Sequence, residues 1–269
     1  MSELAQLVQS QLLAAIDKDD LVLPTLPEVA LRIREAAEDS NISVGTLSKV
    51  IGRDAALSAR LIKVVNSPML RASTEVTELQ TAVNRLGINY SCNLAIGLVI
   101  EQIFHARSPV VEQKMRDVWA CSLAVAGLSH ELCQRHRQLQ ADQGALAGLV
   151  HLIGILPILT YAEEHNELLS DPVRLNHVIE HIHPVLGDKI LSAWEFPRML
   201  AAVPGQYQQL ARQASQADYA DVVQVATLLN QSPGGDQPLE SVPALKRLGL
   251  DPAALLNSGE LIDARHMFR

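Results

Sequence analysis

A chain of 269 residues suits one large domain or two small ones, and area scaling allows roughly 73% of its unfolded surface to be buried, so no disulfide or metal staple is required. Hydrophobic residues make up 48% but aromatics only 3%, an Ala/Leu/Val/Ile composition that favours helices over sheet. The net charge of −8, with most of the acidic excess beyond residue 108, excludes a general polyphosphate-binding surface and with it duplex DNA binding.

Cys92, Cys121 and Cys133 form an odd set without C-x-x-C spacing, which suits a reducing cytoplasm. The stretch MSELAQLVQSQLLAAIDKDD is amphipathic and acidic at its end, unlike a signal peptide. By inspection no apolar run reaches the ~18–20 residues of a membrane span. The expectation is a soluble, cytoplasmic protein with no membrane partner.

Leu4, Leu7, Val8, Leu12 and Ile16 recur at helical spacing. Leu23-Pro-Thr-Leu-Pro27 interrupts that pattern, and Pro27 suits the first position of a second helix reaching about Ala37. Ser43 and Asp54 are N-caps for the next two helices, and Asn66-Ser67-Pro68 ends the second of these. Thr77 with Gln80 makes a capping box for a helix closing at Leu86-Gly87, and a further helix covers about Asn89–His105.

The segments LPTLPEVALRI, DAALSARLIKVVNSP and ELQTAVNRLGINYSCNLAI, in that order, resemble the amino-terminal signature of the HDOD family (HD-related output domain). The resemblance covers roughly residues 20–230. Within it, Lys49, Arg53, Arg60 and Lys63 fall on two neighbouring helices as a basic strip. The strip reads either as an anion or acidic-partner site or as a solvated face.

Beyond Pro109 the helical pattern runs unbroken to about Gln138, with Trp119, Leu123, Ala126 and His130 near one face. Ala141–His165 reads as a helical hairpin or kinked helix around Gly148, Gly154 and Pro157. Asp171-Pro172 starts a helix to about His181, and Pro184 starts another through Trp194, broken at Phe196-Pro197. Asp218–Asn230 is helical, QSPGGDQP (231–238) is a loop, and short helices follow from Pro243 and from Asp251-Pro252.

VWACSLAVA (118–126), GLVHLIGILP (148–157), HPVLGDKILSAWEFP (183–197) and ADVVQVATLLN (220–230) resemble the same family and, more distantly, the HD-type metal-dependent phosphohydrolases. In such an enzyme a His, a His-Asp pair and a distant Asp hold the metal that activates water. By position the resemblance puts Cys121, His151, Leu152 and Thr227 in those slots. A leucine cannot coordinate, and a thiolate with one imidazole makes a poor hydrolytic centre. A double-histidine element often found after the Trp-x-x-Pro segment is replaced by Val203-Pro-Gly-Gln-Tyr207.

The resemblance therefore implies a vestigial pocket formed by Trp119, Cys121, His151, Leu152, His183 and Thr227, with no catalytic residue, no metal and no cofactor. His183 reads as a ligand-phosphate contact or as a residue satisfied between helices, and Trp119 and Trp194 as core or cavity lining. His177-Val-Ile-Glu180-His181 fits the H-x-x-E-H pattern of inverted zincins, or arises by chance at a His-rich helix end.

The expected fold is all-α, with two packed helical lobes at about 1–108 and 109–269, the second HD-like. The resemblance implies a non-catalytic bacterial signal-transduction module that acts through contact with a signalling protein partner and accepts a nucleotide-type ligand in the vestigial pocket. The alternatives are a divergent metal-dependent phosphohydrolase and a cyclic-dinucleotide or nucleotide sensor. The sequence leaves the oligomeric state open.

Overall fold

The computed structural model describes residues 8, 10–12, 14, 23–70, 74–231, 239, 242–256 and 258–268. Among these there are helices and turns and no strand, as composition and periodicity imply. Val8 and Leu12 are helical and buried, whereas Leu4, Leu7, Ile16 and the loop 232–238 lie outside the described residues.

Local capping rules account for most of the first lobe. Helix α1 (Glu28–Glu38) begins directly after Pro27, whose extended backbone makes it the N-cap rather than the first helical residue. Ser43 Oγ accepts from the Thr46 amide at 3.1 Å to start α2 (Val44–Ile51), and Asp54 Oδ1 accepts from the Leu57 amide at 2.9 Å to start α3 (Ala55–Val65). After α3 the Asn66 side chain donates to the Val76 carbonyl at 2.7 Å and accepts from its amide at 2.9 Å, closing the following loop.

Two further expectations fail in this half. The Thr77–Gln80 capping box does not form, because the N-cap of α4 (Leu79–Leu86) is Glu78 and the first helical bond runs from the Ala82 amide to its carbonyl. Thr77 is left one residue outside the helix. The helix after Gly87 (φ 84) is α5 (Ile88–Val99), which tightens into a 3-10 turn at Ile100–Ile103 and ends at Phe104, short of His105.

Helix α6 (Pro109–Gln134) is the axis of the second lobe, about 39 Å long at 1.5 Å per residue, and stops short of Gln138. Against it pack α7 (Ala141–Val150), α13 (Tyr219–Asn230) and α16 (Gly259–Ala264), while α7 also touches α5 of the first lobe. A turn at 151–154 joins α7 to α8 (Ile155–Glu164), and the two run on as one interrupted helical span, the kinked helix of the two expected alternatives. Ala141–Glu164 is, against the sequence-based expectation, long and apolar enough to span a bilayer, but 83% of its most apolar window is buried inside the fold. Its apolarity is that of a core element.

After α9 (Asn166–Leu169) comes α10 (Pro172–Ala193), capped by Asp171. The sequence suggested two helices divided before Pro184, but the structure has one helix running through it. Proline removes one backbone donor and disfavours the helix locally. Leu175, Val178, Ile182, Leu186 and Ile190 form one buried stripe across it, and that packing holds the helix in register. Glu195 (φ 56) turns the chain out of α10. The lobe ends with α11 (Arg198–Ala201), α12 (Val203–Gln206), α13, α14 (Pro243–Leu248), α15 (Pro252–Leu256) and α16.

A continuous apolar core runs through both lobes. A polar latch joins them: the Trp194 indole donates to the Pro24 carbonyl at 2.9 Å, and Arg34 bonds the Trp194 carbonyl and pairs with Glu195 at 3.6 Å. The proline-rich motif of the first lobe is thereby tied to the Trp-x-x-Pro motif of the second.

Candidate functional site

Two glycines set the position of His151. A Cβ on Gly148 would stand 2.5 Å from the Ala126 Cα of α6, and one on Gly154 would stand 2.0 Å from the His183 carbonyl oxygen of α10. Only hydrogen fits at either contact, so the turn carrying His151 is clamped between two helix backbones.

The protonation of the site follows from its hydrogen bonds. His151 Nδ1 lies 2.7 Å from the Gly148 carbonyl, and His183 Nδ1 lies 2.7 Å from the Ile179 carbonyl. A carbonyl only accepts, so each ring carries its proton on Nδ1 and its lone pair on Nε2. The Tyr207 hydroxyl, delivered by the segment after α12, donates to His183 Nε2 at 2.9 Å. Its ring stands edge-on to His151, centroids 5.1 Å apart at 86°. Gln208 donates to the Tyr207 hydroxyl at 3.2 Å, and Gln224 of α13 donates to the Tyr207 carbonyl at 2.8 Å.

Burial pushes the His151 imidazole down to about 3 and His183 down to about 4, each partly opposed by its carbonyl partner, and it raises the Tyr207 phenol. All three are neutral at pH 7. Leu152 is buried beside His151. On α13 the Thr227 hydroxyl and the Gln224 side-chain carbonyl are buried with no hydrogen-bond partner among the described residues. On α6, Cys121 is half-buried, with the Asn230 amide 3.6 Å from its Sγ.

The metal centre of an HD hydrolase does not fit these residues. Leu152 offers methyl groups where a carboxylate is needed, and the His183 lone pair is held by Tyr207. Cys121, His151 and His183 do not converge as a three-ligand group. Among the described residues, His177, Glu180 and His181 alone bring three His, Cys, Asp or Glu donor atoms within 4.8 Å of one another.

Two predicted site members make contacts with residues 98–104 or with each other. Trp119 packs on Phe104 (centroids 5.1 Å) with the Arg60 guanidinium 5.8 Å over its ring, against the first lobe. Arg60 also pairs with Glu101 and donates to the Leu98 carbonyl at 3.3 Å, so it is drawn out of the basic strip. Lys49, Arg53 and Lys63 remain exposed.

The sequence reading missed Tyr207, Gln224 and a neighbouring charged node. Fully buried Asp221 accepts from Arg212 Nη2 at 2.6 Å and from Arg247 Nη2 and Nε at 2.6 and 2.7 Å, while Arg212 also grips Asp218. Desolvation raises the Asp221 carboxyl, but the Arg247 and Arg212 bonds outweigh it and hold it below its usual range. The only signal for Tyr207 was its place in the segment that stands where the family's double histidine is expected.

The chain matches the HDOD domain family over residues 23–228. It is similar over its full length to a crystal structure from Shewanella amazonensis of a candidate metal-dependent phosphohydrolase. That similarity is 30% identity and TM-score 0.87, over 100% of this chain and 98% of that one. It also has the fold of an HDOD domain protein of unknown function from Geobacter sulfurreducens (20% identity, TM-score 0.73, 97% and 98% covered). An uncharacterised protein of Treponema pallidum is 22% identical over 233 residues, 82% of this chain, and the match spans 44% of that protein's length.

Proposed function

Since the chain belongs to the HDOD domain family, we propose that it is a non-catalytic regulatory module that transmits a state through protein contact. The observation that carries the reading is the neutral site in which Tyr207 occupies the His183 lone pair beside Leu152. Such a site supplies neither carboxylates for a divalent ion nor positive charge for a phosphate. A structure named as a signal transduction protein, from Marinobacter aquaeolei (21% identity, TM-score 0.70), shares the fold, and the role named there is taken here as part of the proposal.

In this reading residues 1–108 form the contact lobe and residues 109–269 the sensing lobe. Exposed Lys49, Arg53 and Lys63 offer the first lobe's surface to an acidic partner. The unpartnered Gln224 carbonyl and Thr227 hydroxyl suit a small neutral ligand that donates hydrogen bonds.

The test is turnover of a generic phosphodiester and of cyclic dinucleotides by untagged protein with Mn²⁺ or Zn²⁺, beside His151→Gln. The expected result is no turnover in either protein. Wild-type turnover that His151→Gln abolishes would establish the hydrolase instead. A thermal shift with cyclic dinucleotides would favour a nucleotide sensor.

A further inference from the structure

The cluster His177, Glu180 and His181 lies on α10, outside the vestigial pocket, and plays no part in the proposed function. The spacing i, i+3, i+4 puts all three on one helical face, with Glu180 exposed and both histidines half-exposed. Their donor atoms lie within 4.8 Å of one another, and the two rings are 4.2 Å apart. Vertices of a tetrahedral zinc site, about 2.0–2.1 Å from the ion, stand roughly 3.4 Å apart, so modest side-chain rotations close the set.

The His181 ring is already oriented for the task. Its Nδ1 lies 2.8 Å from the His177 carbonyl, which can only accept, so Nδ1 bears the proton and Nε2 presents its lone pair. A ring N–H held by a carbonyl is the usual outer-shell support of a metal-bound imidazole. Two imidazoles and one carboxylate select zinc, copper or nickel over magnesium or calcium.

We propose that His177, Glu180 and His181 form a surface site for a borderline divalent cation, zinc above all, with the fourth position open to water or to a side chain of a partner. Its place in the helix gives it a consequence. Pro184 cannot donate to the Glu180 carbonyl, so α10 lacks a backbone bond at this turn. A metal spanning residues 177–181 clips that turn.

The test is zinc uptake by untagged full-length protein in competition with a chromogenic chelator, with the Co²⁺ visible spectrum as a second readout. The expected result is one ion per chain, a Co²⁺ spectrum without thiolate charge transfer, and a zinc-dependent rise in Tm. His177→Gln and His181→Gln each weaken uptake about tenfold or more. Cys121→Ser and His151→Gln leave it unchanged. No saturable uptake, or uptake unaffected by both surface histidine variants, overturns the site. Uptake lost in Cys121→Ser or His151→Gln overturns it too, and would place the metal in the pocket and contradict the proposed function separately.

Discussion

The second lobe buries two polar centres on helix α13 and treats them in opposite ways. At Asp221 a fully buried carboxylate is matched by Arg212 and Arg247, each 12% exposed, in a closed ionic set. Around Gln224 and Thr227, one turn along the same helix, the His151–His183–Tyr207 centre carries no charge. The lobe can therefore house ions when every donor and acceptor is supplied. The neutrality of the second centre follows from particular residues, Leu152 and Tyr207 above all, rather than from a general intolerance of charge.

The contrast predicts two acid transitions. His151, His183 and His130 have folded-state values of about 3, 4 and 4, each lowered first by burial, against an unfolded value near 6.5. Between those limits the unfolded chain binds more protons, so stability falls as pH drops below about 6.5, by about 1.4 kcal/mol per pH unit per histidine. Urea midpoints from pH 7 to 4.5 measure this, and a flat profile would break the comparison. Asp221, held below its ordinary value, adds a loss only below about pH 4, where unfolded carboxylates take up protons.

Removing the carboxylate has the next largest effect. Asp221→Ala leaves the largely buried Arg247 guanidinium without its carboxylate and Arg212 with Asp218 alone, and a loss of about 3–5 kcal/mol is expected in denaturant unfolding. The smallest effect belongs to the neutral centre. Tyr207→Phe removes the donor to His183 Nε2 and strands a buried acceptor, at a cost of about 1–3 kcal/mol. A cost as large as that of Asp221→Ala would show that the two centres are not different in kind.

What was legible in the sequence was what is decided locally. Ser43, Asp54 and Asp171 cap their helices because a short side-chain acceptor meets a nearby backbone amide. The interruption of the helix at GLVHLIGILP was likewise legible. Features set by distant partners were not. The stripe on α10 overrides Pro184, Glu101 takes Arg60 from the basic strip, and Phe104 and Arg60 pack on Trp119. Tyr207 meets His183 and Gln224 only through the packing of α10, α12 and α13, which no local pattern encodes.

The most direct test of a neutral, metal-free pocket is nitrogen NMR of the His151 and His183 imidazoles, followed from pH 7 to 4 with and without Zn²⁺ or Mn²⁺. The account predicts Nδ1–H tautomers for both rings, no protonation until the pH approaches 4, and no response of either Nε2 to metal. Titration near pH 6.5, or a metal-dependent shift or broadening of His151 Nε2, would contradict it.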